Sequence, residues 1–226
     1  MQLTFDGHAC VSVSLTDTAG TLVIDPGTFS DTAAALSGDT GAVLITHDHA
    51  DHVDVPAVVE FLATAPDVQV WASAPAATAL RAGGAPENQI NEVSPGQVLD
   101  AAGARVTVGG GDHAVIHPEI QRAVNVTYLV EVDGQSLYHP GDSFVPPAHL
   151  PQGGLDVLLV PVSAPWLKME QAIDFACSVP AGVVVPIHNV FLSDVGHGMV
   201  ARFLDTARLG GEYTYARLAV GEPLAI

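Results

Sequence analysis

The sequence predicts an α/β fold. Short β-branched runs end repeatedly in Gly, Pro, Asp or His, helical patterns alternate with them from end to end, and no compositional break or long Pro/Ser linker divides the chain. The 226 residues, 48% hydrophobic and 14% charged, exclude disorder and a fibrous repeat and leave room for a sizeable core. We read residues 1–226 as one domain, with strand-then-helix halves on either side of about residue 120.

In chain order, strands are expected at residues 21–24 before Asp25-Pro26-Gly27, at 42–45 before Thr46-His47, at 68–71 before Ser73, and at 105–108 before a triple glycine. Residues 125–132 and 135–138 form a hairpin about Asp133-Gly134, a dipeptide suited to a type I′ turn. Two further strands are expected at 157–162 and 183–187. Between them, Asp54 caps a helix with Pro56 in its first turn, and Ser73 starts another that stops at Gly83-Gly84. Residues 168–178 and 199–209 complete the helical set, the last ended by Gly210-Gly211. Ligand-type residues placed just beyond strand ends extend this to a four-layer αβ/βα sandwich of two mixed sheets, with a metal site at one edge between them.

Charge narrows the partners. Seven Lys+Arg against 25 Asp+Glu give −18, a field that repels phosphate backbones and anionic membrane surfaces, so neither nucleic acid nor membrane is an expected partner. No apolar run approaches the ~20 residues of a spanning helix, and Asp6 and His8 interrupt what a signal peptide would need. A cytoplasmic location is expected, with Cys10 and Cys177 as free, buried thiols.

Histidine is over-represented, at ten residues. Directly after the 42–45 strand runs Thr46-His47-Asp48-His49-Ala50-Asp51-His52. Burying so many imidazoles and carboxylates without partners is costly, whereas a tight loop entering a helix splays His47 and His49 toward one point and Asp51 and His52 toward another. Such N/O donors suit zinc, and also manganese or iron.

This H-x-H-x-D-H run resembles the signature of the metallo-β-lactamase superfamily. The resemblance extends from Phe5-Asp6-Gly7-His8-Ala9 through Ile24-Asp25-Pro26-Gly27 to Gly141-Asp142 and Pro186-Ile187-His188. The Gly7-His8-Ala9 start and the small size resemble its L-ascorbate-6-phosphate lactonase-like branch of small metal-dependent hydrolases. The resemblance implies two divalent metal ions, zinc favoured over manganese or iron. One is held by His47, His49 and His113, the other by Asp51, His52 and His188, and Asp142 bridges them. His113 is preferred as the third histidine because it follows its strand more closely than His117, which would then line the mouth or sit on the surface. Asp25 would orient a metal-binding imidazole or simply form a turn. His8 lies near the pocket or is structural, and His197, between two glycines, is expected in a flexible loop before the last helix.

The implied chemistry is hydrolysis of a lactone, ester or phosphodiester of a small molecule. A water between the ions loses a proton near neutral pH, and Asp51 or Asp142 relays it to the leaving group. An iron-dependent oxygenase or redox protein on the same scaffold, which typically needs one metal, and a metal-dependent binding module without turnover are the alternatives.

Overall fold

The structure, a computed structural model, describes residues 1–15, 20–205 and 211–226. Its strands are β1 (Gln2–Gly7), β2 (Cys10–Ser14), β3 (Thr21–Ile24), β4 (Thr40–Ile45), β5 (Gln69–Ser73), β6 (Ile90–Val93), β7 (Val98–Ala101), β8 (Ala104–Gly110), β9 (Val126–Val132), β10 (Gln135–His139), β11 (Leu155–Pro161), β12 (Ala181–Ile187), β13 (Thr214–Tyr215) and β14 (Pro223–Ala225). They form two seven-stranded sheets, in the orders β14-β1-β2-β3-β4-β5-β6 and β13-β12-β11-β10-β9-β8-β7. Each sheet is mixed. Pairing is antiparallel from β14 to β3 and parallel from β3 to β6, then antiparallel from β7 to β10 and parallel from β10 to β13.

Parallel neighbours need crossover connections, and helices supply most of them. Between strands of the first sheet lie α1 (Thr32–Ala35), α2 (Val55–Thr64) and α3 (Ala74–Ala82), and between strands of the second lie α4 (Met169–Ser178) and α5 (Asp194–Leu204). Strand periodicity sorts the layers. In β4, Ala42 and Leu44 point into the core between the sheets while Val43 and Ile45 point toward the helices. In β11, Val157 and Leu159 face inward while Leu158 and Val160 pack with Ala172, Phe175 and Val200 of the helices. Alternation of this kind along consecutive apolar residues, 42–45 in β4 and 157–160 in β11, is what a sheet covered on both faces requires. The arrangement is the expected αβ/βα sandwich.

Asp54 caps α2 through a hydrogen bond from the Ala57 N–H (3.1 Å), whereas Ser73 precedes α3 without a side-chain cap. At the β9–β10 turn, Asp133 and Gly134 both take positive φ (52° and 79°), as a type I′ turn demands.

Three expectations are corrected. Apart from β14, which returns to the first sheet, the first sheet ends at Val93 and the second begins at Val98, so the two halves meet before residue 100 rather than near 120. Cys177 is a free thiol but exposed, because α4 turns Ala176 and Phe175 inward instead; Cys10 is buried. The last helix begins at Asp194 rather than 199, so Gly196-His197-Gly198 is helical and not a loop. The Ser193 hydroxyl accepts from the Gly196 N–H (3.3 Å), and that cap offsets the helix cost of the two glycines. The proposed end of this helix at 206–209 lies outside the described residues.

Candidate metal centre

The C-terminal ends of strands from both sheets converge at one edge of the sandwich. After β4, the chain turns sharply at His49, whose carbonyl accepts from the His52 and Val53 N–H groups (2.9 and 3.0 Å). This presents His47, His49, Asp51 and His52 within one turn. The Asp25-Pro26-Gly27 segment after β3 grips that turn, with Thr28 N–H donating to the Ala50 carbonyl (2.8 Å) and Asp54 N–H to that of Pro26 (2.8 Å). The approach leaves no room for a side chain at position 27, where a Cβ would lie 1.9 Å from the Asp51 carbonyl oxygen.

From the second sheet come His113 after β8, Asp142 after β10 and His188 after β12. Asn125, buried at the head of β9, accepts the Asp142 N–H on Oδ1 (2.9 Å) and donates from Nδ2 to the Pro140 carbonyl (3.0 Å), fixing the loop that carries Asp142.

Two donor groups result. His47, His49, His113 and Asp142 form one; His8, Asp51, His52 and His188 form the other, and within each group the nearest ligand atoms all lie within 4.8 Å of one another. Asp142 stands between them: Oδ1 is 3.1 Å from His52 Nε2, and Oδ2 is 3.1 Å from His113 Nε2 and 3.3 Å from His188 Nε2. His52 Nε2, Asp142 Oδ1 and His188 Nε2 are buried without a directed hydrogen-bond partner. Orphaned polar atoms facing one another are disfavoured unless a ligand satisfies them, and this donor set fits a transition-metal ion.

The hydrogen-bond network also assigns the tautomers. His52 Nδ1 donates to Asp25 Oδ2 (2.7 Å), His113 Nδ1 to the Ala114 carbonyl (2.6 Å) and His188 Nδ1 to the Ser163 carbonyl (2.7 Å). The Thr46 hydroxyl gives its proton to Asp25 Oδ2 (2.7 Å) and therefore accepts from His47 Nδ1 (3.0 Å). In its neutral form each of the four rings therefore keeps the lone pair on Nε2. His8 is the opposite case: its Nδ1 accepts from the Val190 N–H (3.4 Å), so Nε2 carries the proton and donates to Asp51 Oδ2 (3.2 Å).

Charge is concentrated here. Burial disfavours the His52 imidazolium, but the Asp142 and Asp25 carboxylates on either side outweigh it and hold its pKa well above the usual value. Burial likewise works against His188, and contact with Asp142 and Asp51 overcomes it, pushing the pKa up to about 9. For Asp142, burial is outweighed by His52, His113 and His188, which hold the carboxyl well below the usual range. His47, buried beside other imidazoles, is pushed down. The backbone is strained at the same place. His8, Asp25 and His188 have φ of 53°, 52° and 54°, and the only other described non-glycine residues with positive φ, Ala102 and Asp133, lie in turns. Such strain persists where surrounding contacts over-determine it.

Of the remaining candidates, His117 is exposed and accepts the Glu119 N–H (3.1 Å), apart from both donor groups. His197 lies on α5, lining a cleft that also touches His8. Sequence reasoning missed Asn125 and Trp166, whose indole N–H donates to Asp142 Oδ2 (3.1 Å) and whose ring packs against His113. A polar residue heading an apolar strand and a lone Trp after Pro165 were the available signals.

Residues 2–188 match the family model described as a beta-lactamase superfamily domain. Protein Rv0786c of Mycobacterium tuberculosis is 37% identical over 204 residues, covering 88% of this chain and 89% of the relative. A UPF0173 metal-dependent hydrolase of Methanoculleus marisnigri is 28% identical over 200 residues, covering 83% and 80%. Among solved structures, a metallo hydrolase of the archaeon Ignicoccus hospitalis superposes with a TM-score of 0.73 at 22% identity, covering 99% of this chain and 97% of that one. CmlA, a diiron beta-hydroxylase of Streptomyces venezuelae, superposes at 0.75 with 18% identity, covering 100% of this chain and 54% of the other. With a family model spanning most of its length and the donor residues of the H-x-H-x-D-H turn gathered at the sheet edge, the chain belongs to the metallo-β-lactamase superfamily.

Proposed function

We propose that the protein is a binuclear metal-dependent hydrolase of small molecules, cleaving a lactone, ester or phosphodiester bond. One observation carries this reading: two four-residue donor groups share an edge at Asp142 and His52, with three buried ligand atoms unsatisfied. The relatives named as metal-dependent hydrolases support it.

In this reading His47, His49 and His113 would hold one divalent ion and Asp51, His52 and His188 the second, with Asp142 standing between the two groups and available to both; zinc is favoured over manganese or iron. Such ions supply Lewis acidity and bring the deprotonation of water near neutral pH. The chain's own residues do the rest. Asp25 and Thr46 fix the tautomers of His52 and His47, and Trp166 and Asn125 hold Asp142. His8 donates to Asp51 and so orients that carboxylate without ligating. Asp51 is the better placed proton carrier to a leaving group, because its side chain is 21% exposed while that of Asp142 is 4% exposed. His117 plays no part in holding an ion.

The test is elemental analysis of protein purified without added metal, paired with turnover of a lactone, a p-nitrophenyl ester and bis-p-nitrophenyl phosphate. About two equivalents of metal and hydrolysis of at least one substrate are expected, both lost in Asp142→Ala. Less than about half an equivalent of metal after reconstitution refutes the reading. The likeness to a diiron beta-hydroxylase gives an oxygenase a specific claim, since a second ion does not argue against it. Iron as the native metal, with oxygen-dependent turnover and no hydrolysis, decides for that alternative.

A further inference from the structure

A cleft of about 340 Å³ opens beside the second donor group. His8 forms part of its wall and reaches Asp51 on the other side, so cleft and metal centre are neighbours through a single ring. Phe29, Val190, Leu192 and Val220 make the lining predominantly apolar. Phe29 follows Asp25 by four residues and Val190 follows His188 by two, so the turns that position the metal centre also build the cleft.

The apolar surface is open to solvent. Phe29 is 46% exposed and the adjoining Phe191 59%, yet the two rings meet edge to face at 5.7 Å, and each packs edge-on against His8, at 5.4 and 5.9 Å. An exposed aromatic pair ordered around a polar residue is a recognised mark of a binding surface.

Two polar groups break the apolar lining. Arg217 lines the cleft and, among the described residues, has no carboxylate at ion-pair distance, in a chain with 25 acidic residues to seven basic ones. Arg81, Arg105 and Arg122 have such a partner, whereas Lys168 and Arg202, like Arg217, have none among the described residues; of these three only Arg217 lines the cleft. His197 also lines the cleft, and its Nδ1 is buried without a hydrogen-bond partner. The exposed Arg217 guanidinium is a fitting receptor for a carboxylate, and the His197 ring beside it forms part of the same wall.

We propose that this cleft is the acyl subsite of the hydrolase, taking an apolar chain whose reacting carbonyl lies at the metal centre and whose far end carries a carboxylate held by Arg217. The inference rests on the hydrolase reading and narrows it to half-esters or lactones of dicarboxylic acids. Hydrolysis of such an ester adds one water and breaks the acyl C–O bond. It yields the dicarboxylic acid, which receives the water oxygen, and an alcohol, which receives a proton.

The products are convenient probes because they bind without reacting. Calorimetry on the metal-loaded protein compares linear monocarboxylates with dicarboxylates of equal length, from about four to about eight carbons, so that the reach to Arg217 need not be known. Affinity for the monocarboxylates is expected to rise about threefold per methylene while the cleft fills. At the best length the dicarboxylate binds about tenfold tighter at low salt, a preference that weakens as salt is added. Arg217→Gln abolishes the dicarboxylate preference, Arg217→Lys retains part of it, and Phe29→Ser flattens the dependence on chain length. The proposal is overturned if dicarboxylates bind no tighter at any length, or if the preference survives Arg217→Gln. Turnover assays separate this from the parent reading: the dicarboxylate preference in a protein that hydrolyses no ester keeps the subsite and removes the hydrolase.

Discussion

Replacing Asp25 by asparagine changes one atom, yet the network around it makes the consequence specific. The carboxylate is fully buried and accepts three hydrogen bonds: Thr46 N–H on Oδ1 (2.8 Å), and the Thr46 hydroxyl and His52 Nδ1 on Oδ2 (both 2.7 Å). Asparagine keeps the volume but must present an NH₂ group to one side. Facing Oδ2's partners, it confronts His52 Nδ1 and drives the ring to the other tautomer, with the proton on Nε2, the atom proposed to ligate. Facing Thr46 N–H instead, it sets two donors against each other in the core. Either arrangement costs about 2 kcal/mol of stability. The first also weakens the second ion by about ten- to a hundredfold, the usual effect of losing the partner behind a ligand. Chelator competition followed by elemental analysis, beside urea unfolding of the metal-free protein, reads the two effects separately. Asp25→Asn protein with two ions at wild-type affinity and an unchanged unfolding midpoint refutes the tautomer argument.

Other expectations follow from the same geometry. In the metal-free protein the folded state binds the His188 proton more tightly than the unfolded chain, with the pKa raised from 6.5 to about 9. That contribution to stability is complete below about pH 6.5 and is lost as pH rises through about 9, while metal affinity climbs over the same interval because the ion displaces the proton; a flat dependence of both is the contrary result. His113→Ala is expected to lower metal stoichiometry at the first ion, whereas exposed His117→Ala leaves both ions in place; metal content of the two variants decides. Gly27→Ala drives a Cβ into the Asp51 backbone and is expected to cost about 3 kcal/mol of stability, read from the denaturation midpoint. A neutral result there means that the two loops separate more easily than their hydrogen bonds imply.

The sequence is most legible where physics is local. Apolar runs rich in β-branched residues reveal β3, β4, β9, β11 and β12, the Asp133-Gly134 turn brings in β10, and the Asp54 cap and Pro56 mark α2, because each signal lies within or beside the element it specifies. The strands β6 and β7 are four residues each with polar positions among them, and β13 and β14 are shorter still, so periodicity has too little length to register. The hairpin of β1 and β2 is visible in sequence only through the likeness around Gly7-His8-Ala9. At the centre, the H-x-H-x-D-H turn is readable because its donors are consecutive. Asn125, Trp166 and Ser163 are not, since they act through a backbone amide, an indole N–H and a carbonyl oxygen brought in from loops 17 to 25 residues from their partners. The Gly196-His197-Gly198 segment misleads for a related reason: two glycines argue for a loop, and the outcome depends on a serine just before them.

Each donor group draws from both sheets. His47 and His49 follow a strand of the first, while His113 and Asp142 follow strands of the second; Asp51 and His52 are likewise set against His188. Ions bound there would act as rivets through the two halves of the sandwich, at the rim where strands end. The chain itself crosses between the sheets at the same rim, through the four residues between Val93 and Val98 and again between Tyr215 and Pro223; at the first crossing the Gly96 N–H donates to the Val108 carbonyl (2.8 Å). Loss of metal would therefore loosen the donor loops without unfastening the sandwich, because backbone already stitches that rim and the interior packing of Leu44, Tyr128 and Val157 remains.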